Sequence, residues 1–187
     1  MILKTKTALS NHLHALARTP AAPKELVEVM TQELESLKEA EDRLLDRMEQ
    51  EQYIEGRSVL KDDYHLLRTI KGIGRISAIA LLALFRTYPD TSRGEITALV
   101  GLDPTRIESG SSLKGRRKIS KGGNRTVRKI LYFPTLNCLQ HNKVIRNKYE
   151  RLVRNHKPKK LAVIAAMRKL LLIAHAVYKT KKVYCEA

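Results

Sequence analysis

The chain has 187 residues, of which 43% are hydrophobic, so it is long enough to fold around its own core. It carries 36 Lys and Arg against 19 Asp and Glu, a formal net charge of +17 that indicates a polyanionic partner such as nucleic acid. Two distant cysteines and scattered histidines give no metal-ligand spacing, and no signal-peptide signature opens the sequence, which fits a cytoplasmic protein. Aromatic residues make up 5% of the chain, which argues against base stacking as the dominant mode of binding.

The charge is distributed unevenly along the chain. Residues 101–187 contain 22 Lys and Arg against 4 Asp and Glu, whereas residues 25–63 contain 5 against 13. Strong positive fields speed encounter with nucleic acid and make its binding salt-sensitive. Charge alone fits equally well a ribosomal or architectural protein that only neutralises phosphates.

The first 63 residues are predicted to be helical. Leu9, Leu13 and Leu16 have helical spacing within an N-terminal segment, residues 1–22, and Pro23 then starts a long acidic helix. An apolar stripe follows, in which hydrophobic residues recur every three or four positions and only Glu41 interrupts them. It consists of Val27, Met30, Leu34, Leu37, Leu44 and Met48. This stripe predicts a coiled-coil or long-helix arm over residues 23–63, with a turn near Gly56. An amphipathic helix packed within its own chain fits the stripe equally well.

Residues 64–85 predict a helix, a tight turn and a second helix. The turn contains Lys71, Gly72, Ile73 and Gly74, and the second helix starts near Arg75. Glycines let backbone N–H groups approach a ligand closely, and a helix N-terminus favours a phosphate. This pattern resembles the helix-hairpin-helix motif of DNA-binding proteins, and we expect these five residues to contact nucleic acid. The other interpretation is a plain helical hairpin whose glycines only allow close packing.

The remaining elements complete a mainly α fold, a compact domain over residues 64–187. Helices are predicted over residues 95–100, 124–141, 144–154 and 161–178, with short strands near 106–108 or 118–120. The last helix is apolar on nearly all sides but contains Arg168 and Lys169. We therefore expect it to form the buried centre of the domain and not a membrane span.

Between these helices lies a serine cluster followed by a basic run. Ser109, Ser111 and Ser112 share a glycine-containing loop, and hydroxyls beside dense positive charge suggest phosphodiester chemistry. Ser120 is a candidate cap for the following helix. By itself a loop serine is more often a turn or cap residue. The candidate phosphate ligands of this region are Arg106, Lys114, Arg116, Arg117, Lys118, Lys121, Arg125 and Arg128.

Five segments carry a resemblance to a known family. The chain contains, in this order, IKGIGRISAIALLA, ITALVGLDPTRIESGSS, GRRKISKGGNRTVRKILY, HNKVIRNKYERL and KPKKLAVIAAMRKLL. Together they closely resemble the carboxy-terminal transposase domain of bacterial insertion-sequence transposases of the insertion sequence 110, 116 and 902 type. The resemblance covers roughly residues 60–180. The acidic helix before it resembles the coiled coil of the same proteins.

The resemblance implies a specific chemistry. Members of this family are serine-dependent DNA recombinases with an N-terminal RuvC-like domain that holds four metal-binding acidic residues. Ser109 matches the family nucleophile, and magnesium is expected through the RuvC-like domain and not through residues of this chain. The resemblance further implies DNA as partner, oligomers in the bacterial cytoplasm and, in some members, a guide RNA. The apolar stripe adds the expectation that the arm joins these homo-oligomers.

These observations lead to one main hypothesis and one alternative. The chain is expected to be the C-terminal region of a serine-dependent DNA transposase, inactive alone because the RuvC-like domain is expected to be absent. The alternative is a non-catalytic nucleic-acid-binding module that dimerises through its helical arm.

Overall fold

The computed structural model describes residues 2–19, 23–54, 58–105, 108–109, 113–114 and 118–186. These residues form eight helices and four two-residue strands, which confirms the mainly α fold. The chain divides into two compact units, Met1–Arg57 and Ser58–Ala187.

The first unit is a hairpin of two helices, α1 (Ile2–Leu16) and α2 (Lys24–Ile54). Glu41, the acid that interrupts the apolar stripe of α2, pairs with Lys6 of α1. Along α2 the half-buried apolar side chains are Val27, Met30, Leu34, Leu37, Ala40 and Leu45. The stripe therefore faces α1 of the same chain. The prediction that Leu44 belongs to this stripe was wrong, because the Leu44 side chain is exposed and Leu45 takes the inward position.

The second unit is a bundle around one long helix. Its helices are α3 (Ser58–Arg68), α4 (Arg75–Thr87), α5 (Arg93–Val100), α6 (Arg125–His141), α7 (Lys143–Arg154) and α8 (Lys159–Thr180). The other five all pack against α8, whose Ala166, Leu170 and Ala174 are fully buried. In the described ranges α8 alone has the length and hydropathy of a membrane span, but the core helix of a globular unit passes the same test. The predicted buried centre is confirmed.

Side-chain caps fix the corners of this bundle. Ser92 and Glu95 form a reciprocal capping box at the start of α5, and the Glu95 pKa is lowered by its hydrogen bonds with Ser92. Asn142 ends α6 and also accepts a hydrogen bond of 3.0 Å from the backbone N–H of Ile145 in α7. Because one residue serves both helices, the angle between α6 and α7 is set locally.

Four short strands connect α5 to α6. They are β1 (Pro104–Thr105), β2 (Glu108–Ser109), β3 (Leu113–Lys114) and β4 (Lys118–Ile119). β1 pairs antiparallel with β4, and β2 pairs antiparallel with β3, so that Ser109 is opposite Leu113. We call these eight paired residues the serine ribbon.

Candidate nucleic-acid interface

The turn between α3 and α4, residues 69–74, is held against α6. Gly72 has a φ of +104°, and a Cβ there would clash with Sγ of Cys138. The Cys138 thiol donates a hydrogen bond of 3.1 Å to the carbonyl of Lys71, and its burial raises its pKa to about 12. Gly72 is thus required for packing, and the neutral Cys138 thiol serves structure.

The second glycine of the same turn has a different environment. Gly74 is the N-cap residue of α4 and is exposed; apart from its two chain neighbours, no described residue has an atom within 4 Å of where its Cβ would be. No side chain caps the helix there, although the first N–H groups of a helix have no partner within it. Gly74 therefore leaves room for a ligand to approach the positive end of α4.

The segment after α8 contacts the same turn. The backbone N–H of Tyr184 donates to the Thr69 hydroxyl at 3.1 Å, and the Tyr184 hydroxyl lies 3.1 Å from the amide nitrogen of Asn142. The exposed Lys71 ammonium lies 3.8 Å from a carboxylate oxygen of Glu186. We call residues 182–186 the strap. It fixes the turn and places an acid beside the exposed Lys71 ammonium.

A second glycine turn, residues 120–124, joins the serine ribbon to α6. Gly101 ends α5 with a φ of +69°, and a Cβ on it would lie 2.6 Å from Nη1 of Arg128 and 2.9 Å from the nitrogen of Gly123. A Cβ on Gly123 would itself clash with the backbone of Leu99. The base of the ribbon is therefore a tightly packed junction.

Hydrogen bonds close this junction. The Arg128 guanidinium donates to the carbonyls of Val100 at 2.7 Å and Lys121 at 3.3 Å. The N–H of Lys121 donates to the Gly101 carbonyl at 3.2 Å, and the N–H of Ser120 donates to the Asp103 carbonyl at 3.0 Å. The ribbon thus starts from two helices that are locked to each other.

The structure corrects one expected role in this turn. Ser120 does not cap α6, because its hydroxyl donates to the Asp103 carboxylate. Asn124 caps the helix and accepts hydrogen bonds of 3.0 and 3.1 Å from the N–H groups of Thr126 and Val127. Asn124 was not singled out, although an Asn directly before a helical pattern is a known start signal.

The predicted site residues of the ribbon are only partly described. The backbones of Ser109, Lys114 and Lys118 lie in β2, β3 and β4. Other predicted or candidate residues lie outside the described residues; they are Arg106, Ser111, Ser112, Arg116 and Arg117. Beyond the ribbon, Lys121 and Arg125 are exposed, whereas the Arg128 guanidinium is occupied by backbone carbonyls.

The remaining predicted ligands divide between the turn before α4 and its helix. Ile73 is buried, Arg75 is the half-buried first residue of α4, and Lys71 is exposed. The two glycine turns lie against opposite ends of α6, since Gly72 meets Cys138 while residues 120–124 lead into Arg125. Cys138 is thirteen positions after Arg125 in this helix, a rise of roughly 20 Å.

A second basic surface was missed in the residue-by-residue prediction. The corner between α7 and α8 is exposed and carries Arg151, Arg154, Lys157, Lys159 and Lys160. Within this corner, Glu150 lies 3.7 Å from Arg154. The KPKK run was quoted only as part of a segment that resembles the family, although its charge was the available signal.

Comparison with known proteins identifies the domain. Residues 64–150 match the profile of the Transposase IS116/IS110/IS902 family, a range that includes both glycine turns and the serine ribbon. These residues are similar to the transposase domain of that family. The resemblance predicted from the five segments is confirmed over residues 64–150.

One similar protein is a pilin gene-inverting protein of Moraxella lacunata. It is 30% identical over 119 residues, which are 63% of this chain and 37% of that protein. The chain therefore matches little more than a third of that relative's length. The likeness to the family therefore concerns residues 64–150, and the activity of a whole relative does not follow from it.

Proposed function

We propose that this transposase domain binds DNA and joins it covalently to Ser109 during strand exchange. The single observation that carries the proposal is the position of Ser109 within the family match, on a ribbon whose base is locked between α5 and α6. A nucleophile must be held in a defined geometry, and a closed junction at the base of its ribbon favours that.

The surrounding charge supports a DNA substrate. Lys121 and Arg125 are exposed where the ribbon meets α6, and residues 101–187 have a large excess of cations. Exposed cations of this kind bind phosphates and stabilise the negative charge that develops during phosphoryl transfer. We further propose that the turn before α4 binds a backbone phosphate at Gly74, as a helix-hairpin-helix does.

The proposed reaction conserves phosphodiester bonds. The Ser109 Oγ attacks the phosphorus of a DNA phosphodiester, the Oγ–P bond forms, and the bond from phosphorus to the leaving sugar oxygen breaks. The hydroxyl proton passes to a base or water, and the leaving oxygen gains a proton. Attack by another sugar hydroxyl on the phosphoserine reverses these steps and releases Ser109, so no external energy source is consumed.

Activation of Ser109 requires help from outside the described residues. No three of their His, Cys, Asp or Glu side chains lie close enough to share a metal ion, so we derive no step through a metal held by this chain. The resemblance attributes magnesium to a RuvC-like domain. We propose that such a domain, when provided separately, supplies the metal that lowers the hydroxyl pKa.

Covalent trapping tests this function. The full chain, a RuvC-like domain from a related transposase, magnesium and nicked DNA are mixed, and denaturing gels reveal protein-linked DNA. We expect an adduct with the native chain, none with Ser109→Ala, and an adduct with Ser111→Ala as the matched control. Adducts that persist in Ser109→Ala would refute the assignment. DNA binding without any adduct would favour the non-catalytic module.

We also propose that the arm joins copies of the chain. In the first unit the apolar side chains of Leu26, Val29 and Leu44 remain exposed beside the intrachain hairpin. Replacing Leu26 and Val29 with Glu is expected to lower the mass measured by light scattering. Lys38→Glu, at an exposed polar position of α2, is the control for added negative charge. An unchanged mass would show that the arm does not join copies of the chain.

A guide RNA remains a prediction from the resemblance.

A further inference from the structure

An exposed aromatic pair stands out on the surface of α6. Phe133 is 75% exposed and Tyr132 is 41% exposed, although the opposite face of this helix buries Val127, Leu131 and Cys138. The two rings lie 5.6 Å apart at an interplanar angle of 81°. Because perpendicular rings do not cover each other in a parallel stack, flat ring faces remain available to a ligand.

The neighbours of this pair are cationic. Arg125, Lys129 and Phe133 are each four residues apart, so they follow one another along the same exposed side of α6. The sequence of α6 contains no Asp or Glu. A surface that combines phosphate-binding cations with an exposed ring matches the two parts of a nucleotide, its charged phosphate and its flat base.

The position of the pair relates it to the proposed reaction. The serine ribbon leads directly into α6 through the locked turn at residues 120–124, and Phe133 lies about two helical turns beyond. Strand exchange exposes unpaired bases near the break. A ring on a helix that is fixed to the base of the ribbon has a defined position relative to β1 and β4, the paired strands at that base.

We propose that Phe133, with Tyr132 at its side, is a stacking site for an unpaired nucleobase whose phosphate is bound by Lys129 or Arg125. This inference rests on the proposed function. It adds a ligand class, unpaired bases, to a chain whose low aromatic content argued against stacking as the dominant mode. The site is one local platform within a binding surface dominated by charge.

The test uses the full chain and oligonucleotides that contain 2-aminopurine, a base analogue whose fluorescence falls on stacking. Duplexes with a short unpaired loop are compared with fully paired duplexes of the same length. We expect quenching on the unpaired loop. Phe133→Ala should weaken loop binding by about 5- to 100-fold, the range for loss of one stacked base, and change duplex binding less than about twofold.

Three variants separate stacking from other contacts. Phe133→Trp retains a flat ring and should preserve quenching, whereas Phe133→Leu keeps an apolar side chain and should lose it. Lys129→Gln should lower the salt slope of binding by about one and keep the quenching. Native behaviour of Phe133→Leu would overturn the proposal, because apolar contact alone would then explain the site.

The remaining outcomes are also decisive. If Phe133→Ala lowers the mass of the free chain in light scattering and leaves loop binding unchanged, a second copy covers this face and the stacking site is refuted. If DNA is trapped covalently at Ser109 but Phe133→Ala changes neither loop binding nor quenching, this inference is refuted and the proposed function stands. No binding to any DNA would refute both. An RNA loop bound in preference to DNA would identify a guide strand as the source of the base.

Discussion

The two glycine turns of the second unit each contain two glycines and one lysine, but their surroundings differ. Each contains one glycine that is packed against a neighbouring element, Gly72 against α6 and Gly123 against α5. Each also contains one glycine with open space around it, Gly74 and Gly122. The helix after the first turn has no side-chain cap, whereas Asn124 caps the helix after the second.

This difference separates a turn that is open to a ligand from a turn that is closed by structural contacts. The positive end of α4 is open to a ligand, while the first N–H groups of α6 are already occupied by Asn124. The second turn is instead closed by Arg128 and by backbone hydrogen bonds to α5. A glycine beside a helix start therefore does not by itself indicate a phosphate site, and the state of the cap distinguishes the two turns.

The largest expected effect is on stability. Gly72→Ala and Gly123→Ala should each lower the free energy of unfolding of the second unit by about 2–4 kcal/mol, because the new methyl group meets atoms that are fixed. Gly74→Ala and Gly122→Ala should cost about 1 kcal/mol or less, since their methyl groups face open space. Urea titration of all four variants measures the free energy of unfolding. Equal losses in all four would show that the packed and the open glycines do not differ.

The next effect concerns the arginines. Arg128→Met should cost about 1.5–3 kcal/mol, because two backbone carbonyls lose a charged donor. Arg125→Gln should leave stability within about 0.5 kcal/mol and lower the salt slope of DNA binding by about one. Urea unfolding of both variants measures stability, and salt titration of their DNA binding measures the salt slope. A stable Arg128→Met with a reduced salt slope would instead make Arg128 a phosphate ligand.

A smaller effect should appear in DNA affinity. Gly74→Ala is expected to weaken binding by about tenfold at moderate salt, because the methyl group obstructs a charge-assisted hydrogen bond to the start of α4. Gly122→Ala is the matched control and should bind like the native chain. Filter binding with both folded variants gives the comparison, and a loss in Gly122→Ala alone would reverse the assignment of the two turns.

The smallest expected effect is the dependence of stability on pH that His175 produces. His175 belongs to neither turn; its ring is 4% exposed and lies 5.4 Å from that of Phe85. Burial, with the positive charges of Lys179 and Arg93, lowers the pKa of His175. The unfolded chain then binds a proton that the folded chain resists, so stability is full above the ordinary pKa of about 6.5 and falls as the pH decreases. His175→Gln should make the melting temperature depend less on pH between about pH 7 and 5, as measured by thermal unfolding.

The helices were predictable because their apolar spacing is local in sequence. α8 was predicted as the buried centre, and the helix predicted over residues 95–100 ends at Val100 as expected. The partner of Gly72 was not predictable, since Cys138 and Lys71 are 67 positions apart. The use of Arg128 was also hidden, because a basic run reveals charge but not the direction of each guanidinium. Leu44 and Leu45 are adjacent, and spacing alone did not decide which faces α1.

The strap has a practical consequence for work on this protein. Its Tyr184 and Glu186 reach the turn before α4 from a point more than a hundred residues later in the chain. An affinity tag or fusion partner attached just after this segment, or a deletion that begins at Lys182, would disturb a loop that looks remote in any linear map. We expect N-terminal tags to preserve nucleic-acid affinity better than C-terminal ones.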